Sequence, residues 1–133
     1  MRDKEHTNIK NAAAILLLSI ANADEKVDKE EIKSIREIIQ DFFSIESEET
    51  FTIIENAILE LKKNTSLFGY IETINDNFSY KDKVDFILCI YEVAYSDEEL
   101  HFMEQYLIRK IANSLHVEHK DLIEAKIEIK KYL

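Results

Sequence analysis

Apolar residues recur every three or four positions along most of this chain, the spacing of one face of an α-helix. Ile9, Ala12, Ala13, Leu16, Leu17 and Ile20 predict a first helix from about Lys4 to Asn22. Ile32, Ile35, Ile38, Ile39 and Phe42 predict a second from about Asp28 to Phe43. Ser47, followed by acidic residues, is the expected N-cap of a third helix. That helix runs to about Lys63, with Phe51, Ile54, Ile58 and Leu61 on its apolar face. Asn64 to Ser79 is less regular and predicts one short helix ending near Asn75-Asp76-Asn77. Val84, Ile87, Leu88, Tyr91 and Ala94 place a helix over about Lys81 to Tyr95. Tyr106, Ile108, Ile111 and Leu115 place another over about Phe102 to Leu115, and a last one spans about Lys120 to Tyr132. The expected fold is all-α, with about seven helices.

The pattern also repeats. An acidic link, Ala21-Asn22-Ala23-Asp24-Glu25-Lys26-Val27-Asp28-Lys29-Glu30-Glu31, separates the first two helices. With a shift of 73 positions, Ala21 falls on Ala94, Asp24 on Asp97, Glu25 on Glu98, Val27 on Leu100 and Glu31 on Glu104. The match continues through Ile35 and Ile108, Arg36 and Arg109, and Ile38 and Ile111. After a one-residue slip, Ile45 matches Val117 and Phe51 matches Ile123. The expected organisation is one domain over residues 1–133. It comprises a three-helix half over about 4–63, an irregular connector over 64–79, and a second three-helix half from about 80 to 133. Two repeats are too few for a capped solenoid, so the halves are expected to pack face to face with approximate two-fold symmetry.

Composition sharpens this picture. The chain has no proline and one glycine, Gly69, which leaves little material for hairpins and excludes Gly-rich phosphate loops and the dinucleotide fingerprint. A formal net charge of −10 repels phosphate backbones, so nucleic acid is not an expected partner. Cations and basic protein surfaces suit that field better. Cys89 is the only cysteine, lies in an apolar run and is expected to be a small buried residue. A chain with one cysteine has no internal disulfide, which fits a reducing, cytoplasmic setting. The run from Ala12 to Leu18, followed by Ala21-Asn22-Ala23, imitates a signal-peptide core. Its flank carries Asp3 and Glu5, and the segment matches an internal partner, Leu17 on Ile90 and Ile20 on Val93, so it is read as structure. The run is too short to span a bilayer, and no membrane insertion is expected. Most aromatic residues are expected in the core, with an exposed partner patch around Phe68 to Tyr70.

Two readings of the links stand side by side. Asp28 and Glu31 have the spacing of a capping box, in which Asp28 accepts a backbone N–H and Glu31 reaches back to the cap amide. Local physics alone favours this cap, but it does not explain Asp24 or its recurrence as Asp97. The second reading is a divalent-cation site, with Asp24, Asp28 and Glu31 as ligands in one link and Asp97 and Glu104 in the other. Neither link is an EF-hand, because the central glycine and the terminal bidentate glutamate are missing. His101 stands where Asp28 stood, which suits zinc better than calcium in the second link. No catalytic constellation and no organic-cofactor motif emerges. A single Glu-x-x-His, Glu98 to His101, falls short of a di-iron set, and His116 and His119 read as two exposed polar residues.

The doubled link, with its Ala-x-Ala-Asp-x-x-Val-Asp-x-x-Glu-Ile first copy, resembles the tellurite-resistance TerB family over roughly Ile9 to Ile129. The resemblance implies an all-α fold of about seven helices and a bacterial, cytoplasmic protein, sometimes at the inner membrane face in association with a membrane-bound complex. It implies divalent-cation binding at Asp24, Asp28, Glu31, Asp97 and Glu104. Glu25 and Glu98 depart from the small residue common in the family, and His101 departs from a cap-type residue. The expected function is a non-enzymatic, cation-responsive module in stress or tellurite-resistance complexes, whose partners are proteins, a second copy of the chain included. The alternative is a metal-free interaction scaffold in which the links are helix caps only.

Overall fold

The computed structural model describes residues 2–23, 29–63, 66–96 and 102–132, with side chains from Asn8 onward. Among these residues there are seven helices and no strand: α1 (Arg2–Ala21), α2 (Lys29–Phe43), α3 (Ser47–Lys62), α4 (Phe68–Asn77), α5 (Tyr80–Ala94), α6 (Phe102–Ser114) and α7 (His119–Lys130). The hydrophobic periodicity places each of them to within about two residues at most ends, as expected for long periodic segments in a chain without proline.

α1 is the central element and packs against α2, α3, α4, α5 and α6. Every residue from Ala12 to Ala21 is buried, Ser19 included, and the Ser19 hydroxyl donates to the Leu16 carbonyl at 2.6 Å. The single apolar face read from the sequence is therefore too narrow. A helix with neighbours on all sides is apolar all round. The Lys10 ammonium pairs with Glu49 at 2.9 Å and ties α1 to α3. α5 is the second hub, packing against α1, α2, α6 and α7.

α2 and α6 both end in a left-handed residue, Ser44 at φ 53° and His116 at φ 60°. In each case the next amide reaches back five residues, Ile45 N–H to the Gln40 carbonyl at 3.2 Å and Val117 N–H to the Ala112 carbonyl at 3.0 Å. This is the Schellman ending, completed by an apolar residue just beyond it. Glycine is the usual occupant of that position because a Cβ is strained there. Ser44→Gly and His116→Gly should each raise stability by about 1 kcal/mol in denaturant unfolding.

Three local expectations are corrected. The N-cap of α3 is Glu46, at ψ 162°, with Ser47 the first helical residue, and Glu46 makes no side-chain cap bond. The connector holds the expected helix ending at Asn77, but α4 fills most of the segment, Phe68–Asn77, and buries Ile71 and Ile74, so it is not irregular. It packs on α1. Phe51 and Tyr106 point outward at 59% and 58% exposure, although their spacing placed them on apolar faces. The aromatic residues divide accordingly. Phe42, Phe78 and Phe86 form a cluster with ring centroids 5.5 to 6.1 Å apart, and Tyr91 and Tyr95 stack at 6.4 Å. Phe68, Tyr80, Phe102 and Tyr106 are exposed.

α5 begins with a capping box that the sequence reading did not find. The Asp82 amide donates to the Ser79 hydroxyl at 3.1 Å, and the Ser79 amide donates to Asp82 at 3.3 Å. One residue later the Tyr80 hydroxyl donates to Asp121 and accepts from the Glu118 amide at 3.1 Å, fastening the start of α7 to the start of α5.

Candidate functional site at the acidic links

Asp24 and Asp28 in the first link, and Asp97 in the second, lie outside the described residues, as do Glu25, Glu98 and His101. Glu31 and Glu104 lie within them. The described residues are those that flank each link.

Upstream, α1 and α5 end alike. Asn22 N–H donates to the Leu18 carbonyl at 2.9 Å and Ala23 N–H to the Ile20 carbonyl at 3.2 Å. At the second link Tyr95 N–H donates to the Tyr91 carbonyl at 2.9 Å and Ser96 N–H to the Val93 carbonyl at 3.1 Å. The last helical residues, Ala21 and Ala94, are fully buried. Downstream, Glu31 and Glu104 are each the third residue of their helix. That is the position from which a glutamate reaches back toward the cap amide.

Both carboxylates are buried, Glu31 at 2% exposure and Glu104 at 0%. Both have interaction partners. A first-turn glutamate that only serves a cap needs no such burial. Removing a carboxylate from water is costly unless its oxygens are satisfied, and the amides at the positive end of a helix offset part of that cost. Glu31 stands four residues before buried Ile35, and Glu104 four before buried Ile108, so both occupy the core stripe of their helices. That register was the available sequence signal for their burial. As hard oxygen donors, both suit a divalent cation. Among the described residues no group of three His, Cys, Asp or Glu side chains converges on one point, so the described part of each link supplies one buried carboxylate.

A second acidic feature was not visible in the sequence. Glu37 and Asp41 on α2 and Glu92 on α5 line a cleft of about 270 Å³ with Ile38, Phe42 and Cys89. Cys89 is half-buried rather than buried. Its thiol is pushed up to about 12, first by burial and then by Glu92, Asp85 and Asp41, so it is not a thiolate nucleophile at neutral pH. The Glu92 carboxyl is raised above its ordinary value by partial desolvation, then by Glu37 and Asp41. The folded state therefore holds this proton more tightly than the unfolded chain. The resulting penalty grows as pH rises through the ordinary carboxylate range and is absent below it. Glu92→Gln should raise the melting temperature at neutral pH and leave it unchanged at acid pH. Solvent screening keeps the gain to about 0.5 kcal/mol or less.

The described residues are all-helical apart from turns and loops, with two buried first-turn glutamates behind acidic links that match in sequence. The sequence model of the tellurite resistance protein TerB family matches residues 10–127, and the chain belongs to that family. No curated protein and no solved structure was found to match it. No helix among the described residues is long and apolar enough to cross a membrane.

Proposed function

We propose that this TerB-family chain is a non-enzymatic module that binds divalent cations at its two acidic links and acts through protein complexes of the tellurite- or stress-resistance type. The observation that carries the reading is the burial of Glu31 and Glu104 at matching positions of the two links. A cation held there would be coordinated by Asp24, Asp28 and Glu31 in the first link and by Asp97 and Glu104 in the second. Such a cation would neutralise buried negative charge and lock the entry to α2 and α6. His101 inclines the second link toward zinc, whereas the all-oxygen first link suits calcium.

The reading includes a single domain with two related halves. Its support is the paired detail: matching helix ends before each link, matching Schellman endings after α2 and α6, and glutamate N-caps, Glu46 and Glu118, at the starts of α3 and α7. The strongly acidic surface favours basic protein partners in the cytoplasm. Calorimetric titration with calcium and with zinc, followed by thermal unfolding, tests the cation reading. Saturable heat and a raised melting temperature are expected. No heat and no shift at millimolar metal would leave the metal-free scaffold, whose support is the capping position of both glutamates.

A further inference from the structure

A cleft of about 710 Å³ opens between α1, α3 and α4, where no candidate residue of the acidic links lies. Its size is that of a small-molecule site. Three carboxamides line it, Asn8 and Asn11 from α1 and Asn56 from α3, together with the Thr73 side chain of α4. The Asn11 Oδ1 atom is buried and has no hydrogen-bond partner. A buried acceptor left unpaired is costly, and native proteins seldom tolerate one without a reason.

The charged groups at the rim are already matched. Lys63 pairs with Glu60 at 3.0 Å, and the Tyr70 hydroxyl donates to the other Glu60 oxygen at 3.0 Å. The cleft therefore offers no net charge to an ion. Ile15, Ala57 and Leu59 add apolar wall beside the amides.

Gly69 also lines the cleft and is the only glycine of the chain. It lies in the first turn of α4. Its φ is not positive, and an added Cβ would meet nothing within 4 Å. Neither backbone nor packing requires glycine there, and glycine within a helix is disfavoured relative to alanine. A side chain at this position would take up space in the cleft.

We propose that the α1–α3–α4 cleft binds a small uncharged ligand whose polar edge carries both an N–H donor and a carbonyl-type or ring-nitrogen acceptor. The carboxamides of Asn11, Asn8 and Asn56 pair with that edge, and the exposed Leu59 wall holds the apolar body. A carboxamide is self-complementary to such an edge, because it presents one donor and one acceptor side by side. Nucleosides and amino-acid amides both carry this chemistry, and separate probes distinguish them.

The test is a ¹H–¹⁵N titration of the full chain with adenosine, with N-acetyl-leucine amide and with glucose as a polyol control, read at the Asn side-chain NH₂ resonances. Saturable shifts at Asn8, Asn11 and Asn56 are expected with one of the first two probes, and that probe identifies the source. Gly69→Trp should weaken this binding at least about tenfold. No saturable shift from either amide-bearing probe, equal binding of glucose, or unchanged binding in Gly69→Trp would overturn the proposal. Asn11→Leu gives an independent reading. It should abolish binding and raise the melting temperature by about 3 °C, because the unpaired acceptor is removed. A lowered melting temperature would assign Asn11 a purely structural role and overturn the proposal as well.

Discussion

Leu17→Ala should lower the stability of this protein by about 3–5 kcal/mol, the upper range for truncating a buried leucine. Leu17 is fully buried in α1, the helix that touches five others. The surrounding helices are held by one another and by α1 itself, so they cannot collapse readily into the space left behind. The cost is then the lost transfer free energy plus a nearly intact cavity. Set against a total stability of about 5–15 kcal/mol, the loss would lower the melting temperature by about 10–15 °C. Phe51→Ala is the matched control. Phe51 is larger and also sits at helical spacing, yet it is 59% exposed, and its truncation should cost less than about 1 kcal/mol. If the two variants unfold at similar denaturant concentrations, α1 is not the core of the fold.

The contrast between Leu17 and Phe51 marks how far periodicity reaches. Helical spacing identifies that a segment is a helix and which residues share a face, because both follow from 3.6 residues per turn. It does not count neighbours. From Ala12 to Ala21, α1 is buried around its whole circumference because five helices meet it, a property of topology rather than of the local pattern. Phe51 and Tyr106 sit on the margins of their helical faces, where the next element decides between burial and exposure. Cap chemistry was also only partly legible. Ser47 has the preferred side chain for a cap, yet the chain turns one residue earlier at Glu46, and the cap box at Ser79 uses an aspartate in place of glutamate.

The candidate site divides in the same way. The recurrence of the links, and Glu31 and Glu104 as paired positions, were readable from the sequence alone. Their burial was encoded too, in the four-residue step from Glu31 to Ile35 and from Glu104 to Ile108, but acidic residues at a helix start are ordinarily taken for solvated ones. The carboxylates that line the cleft beside Cys89, and the carboxamides that line the α1–α3–α4 cleft, come from helices far apart in sequence. No local pattern brings them together, and only the packed structure shows them.

Glu31→Gln combined with Glu104→Gln should abolish cation-induced stabilisation while leaving a folded protein. The choice of glutamine separates the two readings of the links. A glutamine at the third helical position still serves a capping box, and its volume matches that of the glutamate, so the cap and its packing persist. What the substitution removes is the anionic oxygen pair that a hard cation requires. At a free cation concentration about 100-fold above the dissociation constant, the native protein should gain about 2.7 kcal/mol, or about 8 °C in melting temperature, and the double variant should gain nothing. The single variants should separate by metal. Glu31→Gln removes the calcium response, because the first link offers only oxygen donors, and Glu104→Gln weakens the zinc response of the link that contains His101. A double variant that keeps the full native response would place the cation elsewhere and return both glutamates to the role of buried caps. In that case the matched burial at 2% and 0% would reflect the packing of two similar helix starts, with no ligand involved.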